Sequence, residues 1–190
     1  MRNRKTLQLT MDAMLAAMCA VLGWAARFTD FGFIKISFES LPVLVAALLF
    51  GPIDGAVVGL VGTFISQFLM YGLDASTPLW IIPYVVIGVI CGFYAKKYHY
   101  YNTKGQIRFI VSAMEVLIFL INTVSLYFYA QLVSVFHTDW IGKPGLAYVL
   151  SGLLPRTIVL VIKAVGFSML MPPLLFALHR FRNRTMGGRN

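Results

Sequence analysis

Charge is scarce in this sequence. Of its 190 residues, 12% are charged and 59% are hydrophobic, against roughly 25% charged in an ordinary soluble domain. A water-soluble fold of this length could not cover so much apolar surface with so few polar groups. Acids are scarcer still, with seven Asp and Glu against 16 Lys and Arg. Cysteine is nearly missing. Cys19 and Cys91 both lie inside apolar runs, which excludes a disulfide framework, and no metal-ligand spacing occurs. His99, His137 and His179 are scattered in loops or at the ends of runs. Three motifs are absent as well. Without Gly-x-x-x-x-Gly-Lys-[Ser/Thr] the chain has no ATP-hydrolysing loop. Without His-Glu-x-x-His or Gly-x-Ser-x-Gly it has no visible protease or lipase machinery. The expectation is a non-catalytic membrane protein with no metal and no cofactor.

What the sequence does contain is long apolar runs, and its mean hydropathy is +0.79. A spanning helix needs about 20 mostly apolar residues. Six candidates follow: Leu7 to Phe28, a short one from Glu39 to Phe50, Ile53 to Tyr71, Pro78 to Tyr94, Ile107 to Phe136, and Leu146 to His179. The breaks have local causes. Gly51-Pro52, Tyr71-Gly72-Leu73-Asp74 before Thr77-Pro78, and Gly142-Lys143-Pro144-Gly145 are turn signals. The first run is too long for a signal-peptide core and lacks an Ala-x-Ala exit, so it reads as a retained helix. The fold class is therefore all-α integral membrane, one six-helix domain over 1–190 with a basic tail from about 180.

The cations cluster. Arg2, Arg4 and Lys5, then Lys96, Lys97, Lys104 and Arg108, then Arg180, Arg182, Arg184 and Arg189 all flank apolar runs. Cytoplasmic loops carry this excess. Six spans put both termini and the 96–108 loop on one side, so the three clusters agree on a cell-membrane protein with both termini cytoplasmic. A basic stretch interleaved with aromatics is missing, so nucleic acid is not an expected partner. Outer loops fall at 29–38, 72–77 and 137–145. Residues 33–38 alternate apolar side chains with Lys35 and Ser37, so this stretch reads as extended. It is either a lid or a connector resting on lipid headgroups.

Small residues repeat at spacing four: Ala13 and Ala17, Ala16 and Ala20, Gly55 and Gly59, Gly88 and Gly92. Such pairs let helices approach closely in lipid. The glycines suit packing within the chain. The alanines cover two adjacent faces of helix one, so one face could serve a partner protein.

Ionisable groups inside spans are costly and face a cavity or each other. Glu115 lies on helix five, with Asn122 seven residues on; Arg156 and Lys163, seven residues apart, lie on helix six. These polar faces could meet, either as a Glu115–Lys163 ion pair with Asn122 completing it, or as ligand contacts. Arg156 follows Pro155, expected about three turns into helix six, where a freed backbone carbonyl can kink the helix. An arginine there either holds a carboxylate bidentately in an outward cavity or snorkels to headgroups. Of the aromatics at that end (Trp80, Tyr84, Tyr127, Tyr129, Trp140 and Tyr148), most suit an interfacial belt. Trp80 and Tyr84, one turn apart, are the pocket candidates.

The stretch Lys35-Ile-Ser-Phe-Glu-Ser-Leu-Pro-Val-Leu-Val-Ala-Ala-Leu-Leu-Phe-Gly-Pro-Ile-Asp-Gly-Ala-Val-Val-Gly resembles the substrate-binding S components of energy-coupling factor (ECF) vitamin transporters. The likeness continues through Tyr71-Gly72, Thr77-Pro78-Leu79-Trp80 and Leu154-Pro155-Arg156. It covers nearly the whole chain. It implies a six-helix component with a vitamin pocket near the outer face, under the first loop, to which Lys35 and Phe38 would contribute. It also implies that the alanine face of helix one docks on a transmembrane scaffold subunit, and that two ATPases complete the complex. The Thr-Pro-Leu-Trp run looks closer to pantothenate-type members. Folate-type members often carry Asp where Thr63 stands. The rival expectation is a solitary ion-coupled secondary transporter with Glu115 as proton carrier, although the long repeated architecture typical of such carriers is missing.

Overall fold

The computed structural model describes residues 4–29, 36–98, 103–136, 149–150 and 152–186. Among the described residues the longer α-helices are, in chain order, α1 Arg4–Ala25, continued by a 3-10 turn over Ala26–Thr29, α2 Ser40–Leu49, α3 Pro52–Tyr71, α4 Thr77–Lys97, α5 Lys104–Phe136 and α6 Leu153–Met186. Five of them are long and apolar enough to cross a membrane; α2, with 10 residues, is not. At 1.5 Å per residue α2 reaches only about 15 Å, half of a hydrocarbon core of about 30 Å. The second expected span is thus a half-length helix inside the bundle. All ten of its residues are buried, as a helix apolar on every side must be.

Local chemistry sets the boundaries. Gly51, at φ 120°, turns the chain out of α2, and Pro52 opens α3 at a position that needs no N–H donor. Gly72, at φ 75°, ends α3 with its N–H on the Phe68 carbonyl at 3.0 Å. The long element of the sixth helix runs Leu153–Met186, with residues 149–150 helical ahead of it, and the expected start at Leu146 lies outside the described residues. Pro155 therefore stands in the first turn of that long element, where a missing N–H costs nothing and a kink is not required. Residues 36–38 lie outside any helix. The rest of the expected extended stretch, Lys35 included, lies outside the described residues, as do the 137–145 loop, Trp140, Tyr148, His99 and His137.

Side-chain pairings fix the helix directions. Gln8 donates to Asp54 Oδ1 at 2.8 Å, and a Cβ placed on Gly62 would lie 2.5 Å from the Cys19 Cβ. Both pairs keep similar sequence offsets, so α1 and α3 run parallel. Gly59 meets the Tyr84 carbonyl and Gly88 meets Gly55, so α3 and α4 are antiparallel. Ser125 Oγ donates to the Leu79 carbonyl at 3.0 Å, and Lys163 pairs with Glu115, so α5 and α6 continue the alternation. The start of α1, the end of α4, the start of α5 and the end of α6 therefore share one end of the bundle, which gathers Lys5, Lys96, Lys97, Lys104, Arg108 and Arg180.

The expected small-residue contacts at the glycines are internal. A Cβ on Gly88 would lie 2.5 Å from the Gly55 carbonyl oxygen, and one on Gly55 would lie 2.7 Å from the Ala47 Cβ. Close backbone approach of this kind binds helices where lipid removes the hydrophobic drive. Around α2 a continuous apolar layer forms from Val43, Leu44, Ile87, Val111, Met114 and Met171.

Candidate functional site

Because α2 is short, the segment entering it descends between the longer helices. Above its N-terminus, at the end of the bundle opposite the basic clusters, lies a cavity of about 490 Å³. That volume suits a vitamin-sized molecule. Five of the expected site residues line it: Trp80, Tyr84, Asn122, Arg156 and Lys163. A sixth, Phe38, does not join them. Phe38 is half exposed and packs its ring 5.8 Å from that of Phe167, and Lys35 is not among the described residues.

The wall on α5 and α6 is charged. Lys163 Nζ lies 2.9 Å from Glu115 Oε2, with the two side chains 10% and 2% exposed. Ser40 Oγ donates to Glu115 Oε1 at 2.6 Å, so the carboxylate has a partner on each oxygen. The ion-pair alternative for these residues is what the structure shows, and Lys163 still borders the cavity. Asn122 does not complete the pair. Among the described residues its Oδ1 is buried without a hydrogen-bond partner, which leaves an acceptor on the cavity wall. Arg156 lies two helical turns above Lys163, its guanidinium carbon 5.7 Å from the centre of the Phe119 ring. That contact holds the guanidinium plane by a cation–π attraction. An arginine steadied in this way suits a carboxylate or phosphate.

Trp80 and Tyr129, with ring centroids 5.9 Å apart, form an aromatic wall. The rim is the connection between α3 and α4. Ser76 Oγ donates to Asp74 Oδ2 at 2.8 Å, the Ala75 N–H donates to Oδ1 at 2.7 Å, and the Asp74 N–H donates to Thr77 Oγ1 at 3.1 Å. The bonds to the carboxylate, from the Ser76 hydroxyl first and then the Ala75 N–H, hold the exposed Asp74 carboxyl below the usual carboxylate range. Tyr127 faces away from the bundle and is exposed, as an interfacial belt residue would be.

The floor holds the group that sequence reasoning missed. Glu39, 1% exposed, borders the cavity. Ser66 Oγ donates to its Oε1 at 3.1 Å and Ser37 Oγ to its Oε2 at 3.3 Å. Ser37 Oγ is also 3.4 Å from the Tyr84 hydroxyl. Gly23 of α1 gives the carboxylate its room, since a Cβ there would collide with Oε1. The signal was an acid at the head of an apolar run, which reads equally well as the end of a span. Among the described residues, no group of three His, Cys, Asp or Glu side chains could hold a metal ion.

On α1, Ala16 and Ala20 are buried, and the Ala16 carbonyl lies 3.0 Å from the Cβ position of Gly62. They pack inside the chain and cannot serve as a docking face. Ala13 and Ala17 are exposed, beside the exposed Leu9, Met14 and Val21.

The family model for "ECF transporter, substrate-specific component" matches residues 7–175. A UPF0397 protein of Lactobacillus johnsonii (strain CNCM I-12250 / La1 / NCC 533) is 31% identical over 119 residues, covering 57% of this chain. The match spans 62% of that relative's length.

Proposed function

The chain belongs to the substrate-specific components of ECF transporters, and on that premise we propose that it captures a water-soluble vitamin at the outer face of a prokaryotic membrane. A transmembrane scaffold subunit and two cytoplasmic ATPases then drive delivery inward. The observation that carries this reading is the cavity with Arg156 on its wall, at the end of the bundle opposite every basic cluster. The positive-inside bias puts the basic end in the cytoplasm, so the cavity faces the supply of solute. Pantothenate is the preferred substrate: its carboxylate suits Arg156, and about 490 Å³ holds it with room to spare. Folate is the alternative, favoured by the aromatic wall of Trp80 and Tyr129, on which a pterin ring could stack.

A thermal-shift screen of the purified chain against water-soluble vitamins tests the reading. Pantothenate at 1,000 times its dissociation constant is expected to add about 4 kcal/mol of stability. A shift with folate and none with pantothenate selects the alternative. No shift with any vitamin rejects the reading. Uptake by the chain alone in proteoliposomes, driven by a proton or sodium gradient, would replace it with a solitary secondary transporter.

The exposed Ala13 and Ala17 form the docking face in this scheme, because small side chains let the scaffold's helices approach. Ala13→Leu with Ala17→Leu is expected to leave vitamin binding within about twofold, since both point away from the cavity, and to abolish co-purification with the scaffold and ATPases. Loss of vitamin binding, with assembly intact, would place these residues in internal packing instead.

A further inference from the structure

Glu39 is an unusual floor for an anion-binding cavity. Both its carboxyl oxygens already act as acceptors, from the Ser37 and Ser66 hydroxyls, so the ligand end that meets it has to donate. Among the described residues, the ion pair of the nearby cation Lys163 goes to Glu115 instead. The N-terminus of α2, where Glu39 is the cap residue, adds a partial positive charge that eases burial of the acid. A neutral donor from the ligand therefore suits this end, and a ligand carboxylate, itself only an acceptor, does not. Arg156 stands seven residues above Lys163 on α6, or about 10 Å at 1.5 Å per residue.

We infer that Glu39 is a specificity-determining residue: it takes a hydroxyl, amide or amino donor at the inner end of the ligand while Arg156 takes the acid at the other, so that the site selects a two-ended solute bound in one orientation. This rests on the vitamin-capture reading. In pantothenate the donors are the two hydroxyls at the end remote from the carboxylate.

Titration calorimetry on the full chain with pantothenate and with its analogue lacking both hydroxyls tests the inference without altering the protein. The analogue is expected to bind about ten- to hundredfold more weakly, the range for a hydrogen bond to a charged group. Glu39→Gln is expected to bring the two ligands within about threefold of each other. Equal binding of both by the unaltered chain overturns the assignment while leaving vitamin capture standing. So does discrimination that persists in a folded Glu39→Gln protein. If folate is the vitamin that binds, Glu39→Gln is expected to weaken it by tenfold or more, and unchanged folate affinity overturns the assignment. If no vitamin binds, capture itself fails and the assignment with it.

Discussion

Lys163→Met is expected to destabilise the purified protein by about 3–5 kcal/mol, the cost of leaving one partner of a buried ion pair uncompensated. The partner left behind is Glu115, 2% exposed. Ser40 alone would then face its carboxylate, through the 2.6 Å bond to Oε1. A hydroxyl contributes far less than a cation to holding a charge in a medium of low dielectric. Replacing both partners, as in Lys163→Met with Glu115→Leu, is expected to recover most of the loss, since an apolar pair of similar volume is often neutral or better. Reversible denaturation in one detergent measures both variants. A loss below about 1 kcal/mol for the single change would mean that cavity water solvates Glu115 in place of the lysine, and that the pair behaves as an exposed one.

Arg156→Ala is expected to weaken pantothenate binding by about 2–4 kcal/mol, roughly thirty- to thousandfold. The side chain borders the cavity beside Phe119, so truncation removes both the charge and the fork that would grip a carboxylate. Arg156→Lys separates the two contributions. It keeps the charge and loses the planar pair of donors, and an intermediate affinity is expected. The α6 backbone is not at risk from either change, because the bond from the Arg156 N–H to the Gly152 carbonyl needs no side chain. Unchanged affinity by titration calorimetry in the folded alanine variant would remove Arg156 from the site. Thermal stability of the unliganded variant close to that of the parent would assign any loss to binding.

The residues that were legible in the sequence share one physical property. Glu115, Arg156 and Lys163 stand in the middle of apolar runs, where a charge is costly enough to require a partner or a cavity. Their seven-residue spacing was enough to put Arg156 and Lys163 on one face. Glu39 was not legible for the opposite reason. It heads an apolar run, where an acid costs little if the run starts at the membrane surface. The run already reads as short in the sequence; only tertiary structure reveals that the head of this short helix lies inside the bundle, beside Ser66 and Tyr84. Helix one shows the same limit. Spacing of four defines the two alanine faces, but the choice between them is made by α3, whose Gly62 receives Ala16 and Cys19. Phe38 was expected at the pocket because the loop leads there; its ring instead packs on Phe167.

The apolar layer around α2 has a consequence for the membrane itself. Val43, Leu44, Ile87, Val111, Met114 and Met171 separate the floor of the cavity from the basic end of the bundle. Close-packed side chains of this kind offer no thread of polar groups for water or ions to follow. A membrane protein with a solvent-facing cavity has to keep that cavity from becoming a channel. Among the described residues, the half-length helix fills the bundle below the cavity with apolar side chains, which closes the polar site off from the basic end.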